Sequence, residues 1–541
     1  MAIRTIYALT PDDPSLDPQG RPAPLSVSTD PDELAPIAKD AGALEGSGAA
    51  GLAVPSSQGQ LARWLRDNPA AAVIVQGALT SLTGGATPSD DIVISTKKMT
   101  SLRVDPANLR AVVGAGLTLS ELQAALADED LYYPPAPTHD GASLGGNVAT
   151  NAAGAATFKY GTTRDWVERL RIVLASGDVL ELRRGQCVLE PSDRVRIEAS
   201  VPIEFDVPSY ESPALKKSSV GYYGKRPWDL IDLFIGSEGT LGIVTEIEVR
   251  LVPRPSVLTG LCFLHSVADT LALVTDLRQR SLAAWAAKTP GMDVRAIEYF
   301  DARCLQMLRN SGKLAEHGVD VPPGAVACLL FEQEIDKTLS HDEILERLAA
   351  VHEGKEAVEG IGELMAVLMA HEVVEHTELA LPSDSRRKRQ LAAIREAIPL
   401  DISDYLRAQH EKDKEIHKVA GDMIVPMDHF AHMLGRYDEV FRQHGVDVVI
   451  FGHISDGNVH PNGLPRQAAD MPRAKQALWE LAQEAKALGG CPLSEHGVGK
   501  HPWKKQMLSM YWGQGVIEEM KRIKRALDPK GRLGRGILWD P

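Results

Sequence analysis

The chain has 541 residues, of which 44% are hydrophobic and 24% charged, and its formal net charge at pH 7 is −15. This length exceeds one ordinary hydrophobic core and predicts two or three domains of a soluble globular protein. The negative charge argues against a nucleic-acid-binding protein, which normally presents a basic surface. It does not exclude a small anionic substrate, because the field inside a pocket can oppose the charge of the whole molecule.

The cysteines and the hydropathy indicate the compartment. The five cysteines are scattered and form no Cys-x-x-Cys pair. This pattern is typical of a reducing compartment and excludes a cysteine-ligated cluster of the usual spacing. The first residues lack a long apolar run, so we expect no signal peptide. No apolar run approaches the roughly 18–20 residues that span a bilayer. We expect a cytoplasmic protein, with peripheral membrane association left open.

Short helices and strands alternate along the first half of the chain. Residues 1–45 are rich in Pro, Asp and Ser, and we expect them to form a poorly ordered leader with short contacts to the rest of the protein. Beyond them, hydrophobic spacing predicts helices over 57–67 and 119–127, the second capped by Thr118 or Ser120. Strands are predicted over 72–75, 92–95, 109–113 and 244–251. The irregular alternation indicates an α+β fold.

A second α+β domain is predicted beyond residue 255, because Pro253 and Pro255 interrupt β pairing. Its predicted helices cover 267–278, 342–351, 388–397 and 474–488, and its predicted strands cover 325–331 and 446–451. The basic run 385–389 is interpreted as the solvated start of a helix rather than as an anion site.

Three segments rich in Gly, Ser and Thr predict a site for a diphosphate. They are residues 76–85, 134–154 and 236–245. Glycines let backbone N–H groups approach phosphate oxygens closely, and short uncharged side chains add donors. The chain has no Gly-x-Gly-x-x-Gly that opens a βαβ unit and no Gly-x4-Gly-Lys-Ser/Thr, so Rossmann and P-loop sites are disfavoured.

Two histidine clusters predict a metal site. A strand-like run leads to His453 at a turn rich in Gly, Asn and Asp, and His460 follows seven residues later. The second cluster contains Glu495 and His496. Two imidazoles and a carboxylate suit a divalent metal, so His453, His460 and Glu495 are the predicted ligands. Zn²⁺ is favoured, and Mn²⁺ and Fe²⁺ stay open. His496 would then serve as the proton acceptor.

Together these segments resemble the FAD-binding PCMH-type fold of the vanillyl-alcohol oxidase type. Within it, they are most similar to the D-2-hydroxyacid dehydrogenase branch, which contains D-lactate and D-2-hydroxyglutarate dehydrogenases and the flavin subunit of glycolate oxidase. The resemblance covers roughly residues 45–537. It rests on motifs that occur in order, at residues 142–154, 160–167, 236–242, 452–460, 494–499 and 527–533.

The resemblance implies an α+β fold in which a PCMH-type FAD-binding domain of two subdomains is joined to an α+β cap domain with an antiparallel sheet. We therefore predict the leader over 1–45, the FAD-binding domain over 46–255 and the substrate-binding cap domain over 256–450. A C-terminal metal and catalytic segment, 451–541, is expected to return to the FAD domain.

The resemblance also implies residues for the cofactor and the substrate. Arg395 is expected to bind the substrate carboxylate, and Lys418 is a second candidate. FAD should be bound non-covalently, because the first loop lacks the histidine to which some relatives attach it. The residues expected to bind FAD are Gly77, Thr80, Ser81, Gly84, Ser143, Gly145, Gly146, Asn147, Thr150, Asn151, Gly154, Gly161, Glu238, Gly239, Gly242 and Ile243.

Two segments depart from the family pattern. The first loop of relatives usually has the sequence Arg-Gly-Gly-Gly-Thr-Ser, whereas residues 76–81 are Gln-Gly-Ala-Leu-Thr-Ser, which predicts a stiffer loop. The tail of relatives usually carries Asn-Pro-Gly-Lys, whereas residues 534–537 are Gly-Arg-Gly-Ile. Contacts from the tail are therefore not carried over.

The activity that the resemblance implies is FAD-dependent, metal-assisted oxidation of a D-2-hydroxy acid to the 2-oxo acid, by hydride transfer to flavin N5. The metal would lower the pKa of the substrate hydroxyl, and His496 would take its proton. Because no cysteine pattern supplies an iron–sulfur relay, we expect an external electron acceptor, namely a flavoprotein, a cytochrome or a quinone. The small 2-hydroxy acid is the other expected partner, no nucleic acid is expected, and a homodimer stays open.

Three alternatives stay open from the sequence. The first is a metallohydrolase built on the His/His/Glu set, which would leave the glycine-rich half unexplained. The second is a catalytically silent flavin-binding subunit, against which the complete histidine set argues. The third is an enzyme of the ether-lipid synthase type, which uses FAD without net oxidation or reduction.

Overall fold

A computed structural model describes residues 2–540 except 43, 45, 136, 138 and 356–359. The chain forms two compact units. The first contains residues 1–154, 161–254 and 493–541, and the second contains residues 155–160 and 255–492. The chain thus changes unit at 154/155, 160/161, 254/255 and 492/493. The sequence predicted the corresponding boundaries at 255/256 and 450/451.

Sixteen strands belong to the first unit, where they build a three-stranded, a four-stranded and a five-stranded sheet and two short pairs. In chain order they are β1 (Ile3–Tyr7), β2 (Val27–Ser28), β3 (Gly48–Ala53), β4 (Val73–Gln76), β5 (Ser89–Ser95), β6 (Leu102–Asp105), β7 (Arg110–Gly114), β8 (Leu131–Tyr132), β9 (Val167–Val173), β10 (Val179–Arg183), β11 (Val188–Leu189), β12 (Arg194–Glu198), β13 (Ile203–Asp206), β14 (Trp228–Asp229), β15 (Ile243–Arg250) and β16 (Val252–Pro253).

The two larger sheets differ in direction. The five-stranded sheet has the order β10-β9-β15-β7-β6 and is antiparallel throughout. The four-stranded sheet has the order β2-β3-β5-β4, and its β3–β5 and β4–β5 pairs are parallel. Strands and helices are mixed in this unit, as the predicted α+β fold requires.

The segment predicted as a leader belongs to the first unit. Its strand β1 pairs in parallel with β12, and β2 pairs with β3. Leu16 is fully buried and packs in a core cluster with helix and strand residues of this unit. Apolar burial therefore holds residues that the composition alone made us expect to be poorly ordered.

Several helices of the first unit begin at a residue whose side chain caps them. Thr118 and Glu121 form a complete capping box, in which the Thr118 hydroxyl accepts from the backbone of Glu121 and the Glu121 carboxylate accepts from the backbone of Thr118 at 2.8 Å. The structure thus selects Thr118 over Ser120. The helices are Pro31–Leu34, Gln58–Asp67, Leu119–Ala127, Leu144–Thr150, Leu230–Phe234 and Pro502–Leu527, the last interrupted at Gly513.

A buried arginine crosslinks the five-stranded sheet. Arg169 on β9 donates to Glu246 at 2.7 Å and to Glu248 at 3.2 Å, both on β15, and it lies 3.7 Å from Glu181 on β10. Burial raises the pKa of Glu248, and hydrogen bonds from Arg169 and Arg110 lower it. The lowering effects together outweigh burial, so the pKa lies below its ordinary value. The stabilisation is therefore fully present above the unfolded pKa and is lost as the pH falls through the lowered folded value.

Arg169→Met is expected to lower the free energy of unfolding at pH 7 by about 1–3 kcal/mol, because it removes a buried cation that three partly buried carboxylates share. The loss should shrink in acid, where protonation neutralises these carboxylates in the variant. Urea unfolding at neutral and at acidic pH measures both effects. The matched control is Arg183→Met, since Arg183 pairs with Glu181 from an exposed position and should cost under about 0.5 kcal/mol. An Arg169 loss that does not change with pH would contradict the electrostatic account.

The second unit is built on one antiparallel sheet of eight strands. Their order is β20-β17-β19-β18-β23-β24-β21, and β22 also pairs with β24. This confirms the antiparallel sheet predicted for the cap domain. The strands are β17 (Ser256–Leu264), β18 (Val294–Asp301), β19 (Ala327–Ile335), β20 (Thr377–Ala380), β21 (Val419–Ala420), β22 (Met423–Ile424), β23 (Asp447–His453) and β24 (Asn458–Leu464).

Helices cover this sheet through their apolar faces. Leu391, Ile394 and Ile398 of the helix Ser385–Lys412 are buried in one cluster with Phe300 and Val449 of the sheet. The basic run 385–389 begins this helix, as predicted. The helices are Thr157–Tyr160, Val267–Ala287, Ala302–Asn310, Lys313–Glu316, His341–His352, Ile361–Ala370, Ser385–Lys412, Met427–Gln443 and Asp470–Ala487.

Within the described part of the chain, no helix combines the length and the apolar character that crossing a bilayer requires.

Candidate active site

The glycine-rich segments of the first unit meet around a cavity of about 250 Å³. All three predicted segments contribute to its lining, together with residues of the C-terminal part of the chain. The predicted FAD-binding residues that line it are Gly77, Thr80, Ser81, Ser143, Gly145, Gly146, Asn147, Thr150, Glu238, Gly239, Gly242 and Ile243.

Two glycines allow the first and second segments to approach closely. A Cβ atom on Gly77 would lie 2.0 Å from the hydroxyl oxygen of Ser143, and one on Gly145 would lie 2.7 Å from the Cβ of Ala115. Ser143 caps the helix Leu144–Thr150 by accepting from the backbone of Gly146 at 3.3 Å. Any side chain at Gly77 or Gly145 would therefore push the loops apart.

The first loop has an unusual backbone at Leu79. Its φ is 61°, a left-handed conformation that favours glycine, and relatives usually have glycine there. The carbonyl of Leu79 accepts from the backbone of Ala41 at 3.0 Å, and that of Ser81 accepts from Gly42 at 2.9 Å. Residues of the predicted leader therefore hold this loop, whose sequence departs from the family pattern. The sequence did not reveal this contact.

Four predicted FAD-binding residues lie outside the cavity lining, namely Gly84, Asn151, Gly154 and Gly161. Asn151 ends the helix Leu144–Thr150 with a φ of 50°, and its side-chain oxygen accepts from the backbone of Arg164 at 2.9 Å. Gly161 has a φ of 76°, and a Cβ atom there would lie 2.3 Å from the carboxylate of Asp165. These observations give Asn151 and Gly161 a role in shaping the backbone, and their contact with FAD stays a prediction.

Arg164 holds the backbone that leads into the third glycine-rich segment. Its guanidinium donates to the carbonyl of Asp232 at 2.6 Å and to the carbonyl of Ile235 at 2.5 Å, directly before the turn at Gly236. It also lies over the ring of Tyr223, 3.8 Å from the ring centroid. The motif 160–167 pointed to this region, but its sequence did not reveal the contact.

Glu238 joins the third segment to the C-terminal part of the first unit. It has a φ of 53°, and its carboxylate accepts from the backbone of Val498 at 2.8 Å and of Gly499 at 2.7 Å. Burial raises the pKa of Glu238, and these two N–H groups oppose the increase. The carboxylate therefore fixes the turn that follows Glu495 and His496.

Glu495 and His496 line the same cavity. Oε1 of Glu495 lies 3.6 Å from Nε2 of His496, whose side chain is 31% exposed. Oε2 of Glu495 lies 2.9 Å from Nζ of Lys217, which is buried. The sequence analysis missed Lys217, because a lysine in a polar stretch carries no pattern that marks it as buried.

The C-terminal tail, whose sequence departs from the family pattern, also reaches the cavity. Its residues Gly534 and Ile537 help to line it. The tail is held by Arg532, whose guanidinium donates to the carbonyls of Leu65, Asn68, Ala71 and Ala175 at distances of 2.7 to 3.0 Å. The expected return of the tail is thus preserved, although its residues differ from the usual pattern.

In the second unit, the predicted strand and turn bring His453 and His460 together. β23 ends at His453, a 3-10 turn covers Ile454–Asp456, and Gly457 with a φ of 82° leads into β24. The two imidazole rings are both buried, their centroids are 5.6 Å apart, and their planes are nearly perpendicular at 88°. The sequence spacing therefore places two imidazoles side by side.

Each imidazole faces a buried carboxylate that the sequence analysis did not predict. Nδ1 of His453 lies 2.5 Å from Glu298, and Nδ1 of His460 lies 3.7 Å from Asp422. A histidine whose Nδ1–H faces a carboxylate presents Nε2 as a metal ligand, and this is the usual arrangement in metal sites. Ligand atoms of His460 and Asp422 lie within 4.8 Å of each other, a spacing that a shared metal ion allows, whereas the predicted ligand His453 is not among the grouped donors.

Arg395 approaches the same group. Its Nε lies 3.2 Å from the second oxygen of Glu298, and its side chain is 16% exposed. Burial raises the pKa of Glu298, but the charge of Arg395 and the contact with His453 lower it well below its usual range. Lys418, the second candidate for the substrate carboxylate, is exposed and directly precedes β21.

Comparisons with known proteins agree with this architecture. Residues 264–538 match the family model "FAD linked oxidases, C-terminal domain", and residues 49–183 match the model "FAD binding domain". The chain is 29% identical to the glycolate oxidase subunit GlcD of Bacillus subtilis, over 86% of this chain and 83% of that protein. It is 27% identical to a D-lactate dehydrogenase of Archaeoglobus fulgidus, over 86% and 85% of the two chains.

Similarity extends over nearly the full length of one further relative and to a solved structure. A D-2-hydroxyglutarate dehydrogenase of Stutzerimonas stutzeri is 27% identical over 95% of this chain and 96% of its own. The structure of an alkyldihydroxyacetonephosphate synthase matches with a TM-score of 0.55 and 14% identity, over 90% of this chain and 77% of that one, which shows a shared fold. With family models matched over both units, the chain belongs to the FAD-linked oxidases.

Proposed function

We propose that this protein oxidises a D-2-hydroxy acid to the 2-oxo acid, with FAD as the hydride acceptor and a divalent metal as a Lewis acid. The observation that carries the proposal is the buried pair His453 and His460, each with a carboxylate at Nδ1, in a member of the FAD-linked oxidases. Relatives named D-lactate dehydrogenase and D-2-hydroxyglutarate dehydrogenase support the substrate class.

The metal would be held by His453, His460 and Glu495, as the sequence predicts. When bound, the metal supplies the charge that acidifies the substrate hydroxyl. Zn²⁺ suits a set of two histidines and a glutamate. Asp422 is a further carboxylate beside His460.

The reaction removes one hydride and one proton from the hydroxy acid. The glycine-rich segments that line the cavity would hold FAD, whose flavin would supply the acceptor for the Cα hydride and thus for the electron pair. His496 accepts the hydroxyl proton, a task that suits an imidazole in the lining of the flavin cavity. Arg395 binds the substrate carboxylate through its Nη groups, because Glu298 occupies its Nε. The released proton and the electron pair balance the conversion of the alcohol carbon to a carbonyl.

FAD is proposed to be dissociable, since the first loop has no histidine to which it could be attached. The electrons then pass to an external flavoprotein, cytochrome or quinone. All five cysteines are buried, and their spacing in the sequence is not that of cluster ligands.

An anaerobic flavin-reduction screen tests the proposal. The FAD-loaded protein is mixed with the D and L enantiomers of lactate, 2-hydroxyglutarate, mandelate and longer 2-hydroxy acids, with and without a chelator. We expect one D acid to bleach the visible flavin band, the chelator to abolish the bleaching, and added metal to restore it. A yellow protein that no 2-hydroxy acid bleaches would refute the proposal and favour a silent subunit or a non-redox enzyme.

A further inference from the structure

Glu298 occupies a position that two paired strands determine. It lies on β18, directly opposite His453 on β23 in the antiparallel register. Side chains directly opposite each other on one face of such a pair lie close together. Its own side chain is only 4% exposed. A carboxylate at this place in the sheet is costly to bury unless it is paired, so its partners explain its presence.

The two oxygens of Glu298 have different partners. Oε1 faces Nδ1 of His453 at 2.5 Å, and Oε2 accepts from Nε of Arg395 at 3.2 Å. One carboxylate thus connects a predicted metal ligand with the residue predicted to bind the substrate carboxylate. An ionised carboxylate makes each of these two contacts charge-assisted, and therefore stronger than a contact between neutral groups.

Each contact has a consequence for chemistry. When Nδ1 of His453 donates to Glu298, the neutral imidazole must present its lone pair at Nε2, the atom that can bind a metal. When Nε of Arg395 donates to Glu298, the planar guanidinium is fixed in orientation, and its Nη pair is the remaining edge for a bidentate carboxylate contact.

Other carboxylates of the same sheet lack this arrangement. Glu332 on β19 accepts from Nε of Arg295 at 2.6 Å, and Glu334 accepts from Lys159 at 2.6 Å. Both pair with cations that the proposed reaction does not use. An ion pair that served only the stability of the sheet could be of this kind, whereas Glu298 connects two residues of the proposed site.

We propose that Glu298 is a positioning residue, which sets through one carboxylate both the metal-binding tautomer of His453 and the orientation of Arg395 toward the substrate. The proposal rests on the proposed function, because it assigns a supporting role within that same site. It adds a residue to the site that the sequence motifs do not include.

The decisive variant is Glu298→Gln in the full-length, FAD-loaded protein. A glutamine has one acceptor oxygen, so it can accept from Arg395 or from His453 but not from both through equivalent oxygens. If its amide nitrogen faces Nδ1, it donates there and forces the proton onto Nε2, which then cannot bind a metal. The variant therefore disturbs one or both functions while it preserves the volume of the side chain.

The first readout is titration with Co²⁺, whose visible d–d absorption reports imidazole ligation without turnover. We expect the dissociation constant for Co²⁺ to rise 10–100-fold in Glu298→Gln, the usual effect of losing a carboxylate behind a metal-bound histidine. The second readout is the KM for the hydroxy acid that bleaches the flavin, which we expect to rise at least about 10-fold through Arg395. Glu332→Gln is the matched control, and both values should stay at those of the unchanged protein.

Three outcomes decide the matter. Unchanged Co²⁺ binding and unchanged KM in Glu298→Gln would overturn the role of Glu298 while leaving the proposed function intact. Absence of Co²⁺ ligation in the unchanged protein would overturn the metal-assisted function and this inference with it. If Glu298→Gln does not fold, Glu298→Asp undergoes the same two measurements. It keeps the charge but is one methylene shorter, so we expect at least one of the two values to change.

Discussion

Replacing His460 with alanine is expected to lower kcat by about 10³-fold or more while the protein stays yellow. His460 is buried beside His453, and loss of one imidazole ligand removes the metal from the site. A Lewis acid contributes several kcal/mol to stabilising developing charge, and each 1.36 kcal/mol is tenfold in rate. FAD should remain bound, because the cavity that the glycine-rich segments line belongs to the first unit and does not include His460. Stopped-flow flavin reduction and the flavin absorbance measure the two effects.

A surface histidine supplies the control for this experiment. The side chain of His432 is 57% exposed on the helix Met427–Gln443, where it contacts Glu484, so His432→Ala should reduce flavin at the rate of the unchanged protein. A chelator should reproduce the effect of His460→Ala in the unchanged protein and have no further effect on the variant. Full activity of His460→Ala, with or without a chelator, would contradict metal assistance through this residue.

His496→Gln is expected to lower kcat by about 10²–10⁴-fold, the range that removal of a general base usually produces. Glutamine has a similar size and can hydrogen-bond, but it cannot take the hydroxyl proton at neutral pH. Because His496 is proposed to act on the proton and not on the carboxylate, KM should change little. Single-turnover flavin reduction separates this chemical step from product release. Metal content should stay unchanged, which distinguishes this variant from His460→Ala.

The control for His496→Gln is His265→Gln. His265 is exposed in the second unit and does not line the cavity. Its flavin reduction should be normal. Normal reduction by His496→Gln as well would exclude His496 as the base and direct attention to other groups near Glu495, of which the buried Lys217 is one.

Local patterns in the sequence predicted the elements well. The helix predicted over 57–67 is Gln58–Asp67 with Ser57 as its cap, and the strand predicted over 446–451 is Asp447–His453. Such elements follow from hydrophobic spacing and capping residues that lie within a few positions of each other. The glycine-rich loops were predictable for the same reason, because close approach and positive φ demand glycine at particular positions.

The supporting carboxylates were not predictable in this way. Glu298 is 155 positions from His453, and Asp422 is 38 positions from His460. Glu298 left one sequence signal, since it is a lone acidic residue in the apolar run Ala-Ile-Glu-Tyr-Phe, but that signal does not name its partners. The strand register that pairs Glu298 with His453 is a property of the folded sheet.

The leader segment shows the same limit. Its composition predicted poor order, yet the backbone N–H groups of Ala41 and Gly42 bind the first loop at Leu79 and Ser81. Backbone hydrogen bonds of this kind do not depend on side-chain identity, so no residue pattern marks them.

The sequence by itself determined the fold family, the glycine-rich cofactor loops and the pair of histidines seven positions apart, because each depends on residue types at short and fixed spacing. Only the tertiary structure decided that Glu298 connects His453 with Arg395, that Lys217 is buried against Glu495, and that the departed tail lines the cavity. These contacts join residues that are far apart along the chain. Burial makes such pairing obligatory for a charge, but which partner lies within reach is set by sheet register and loop packing.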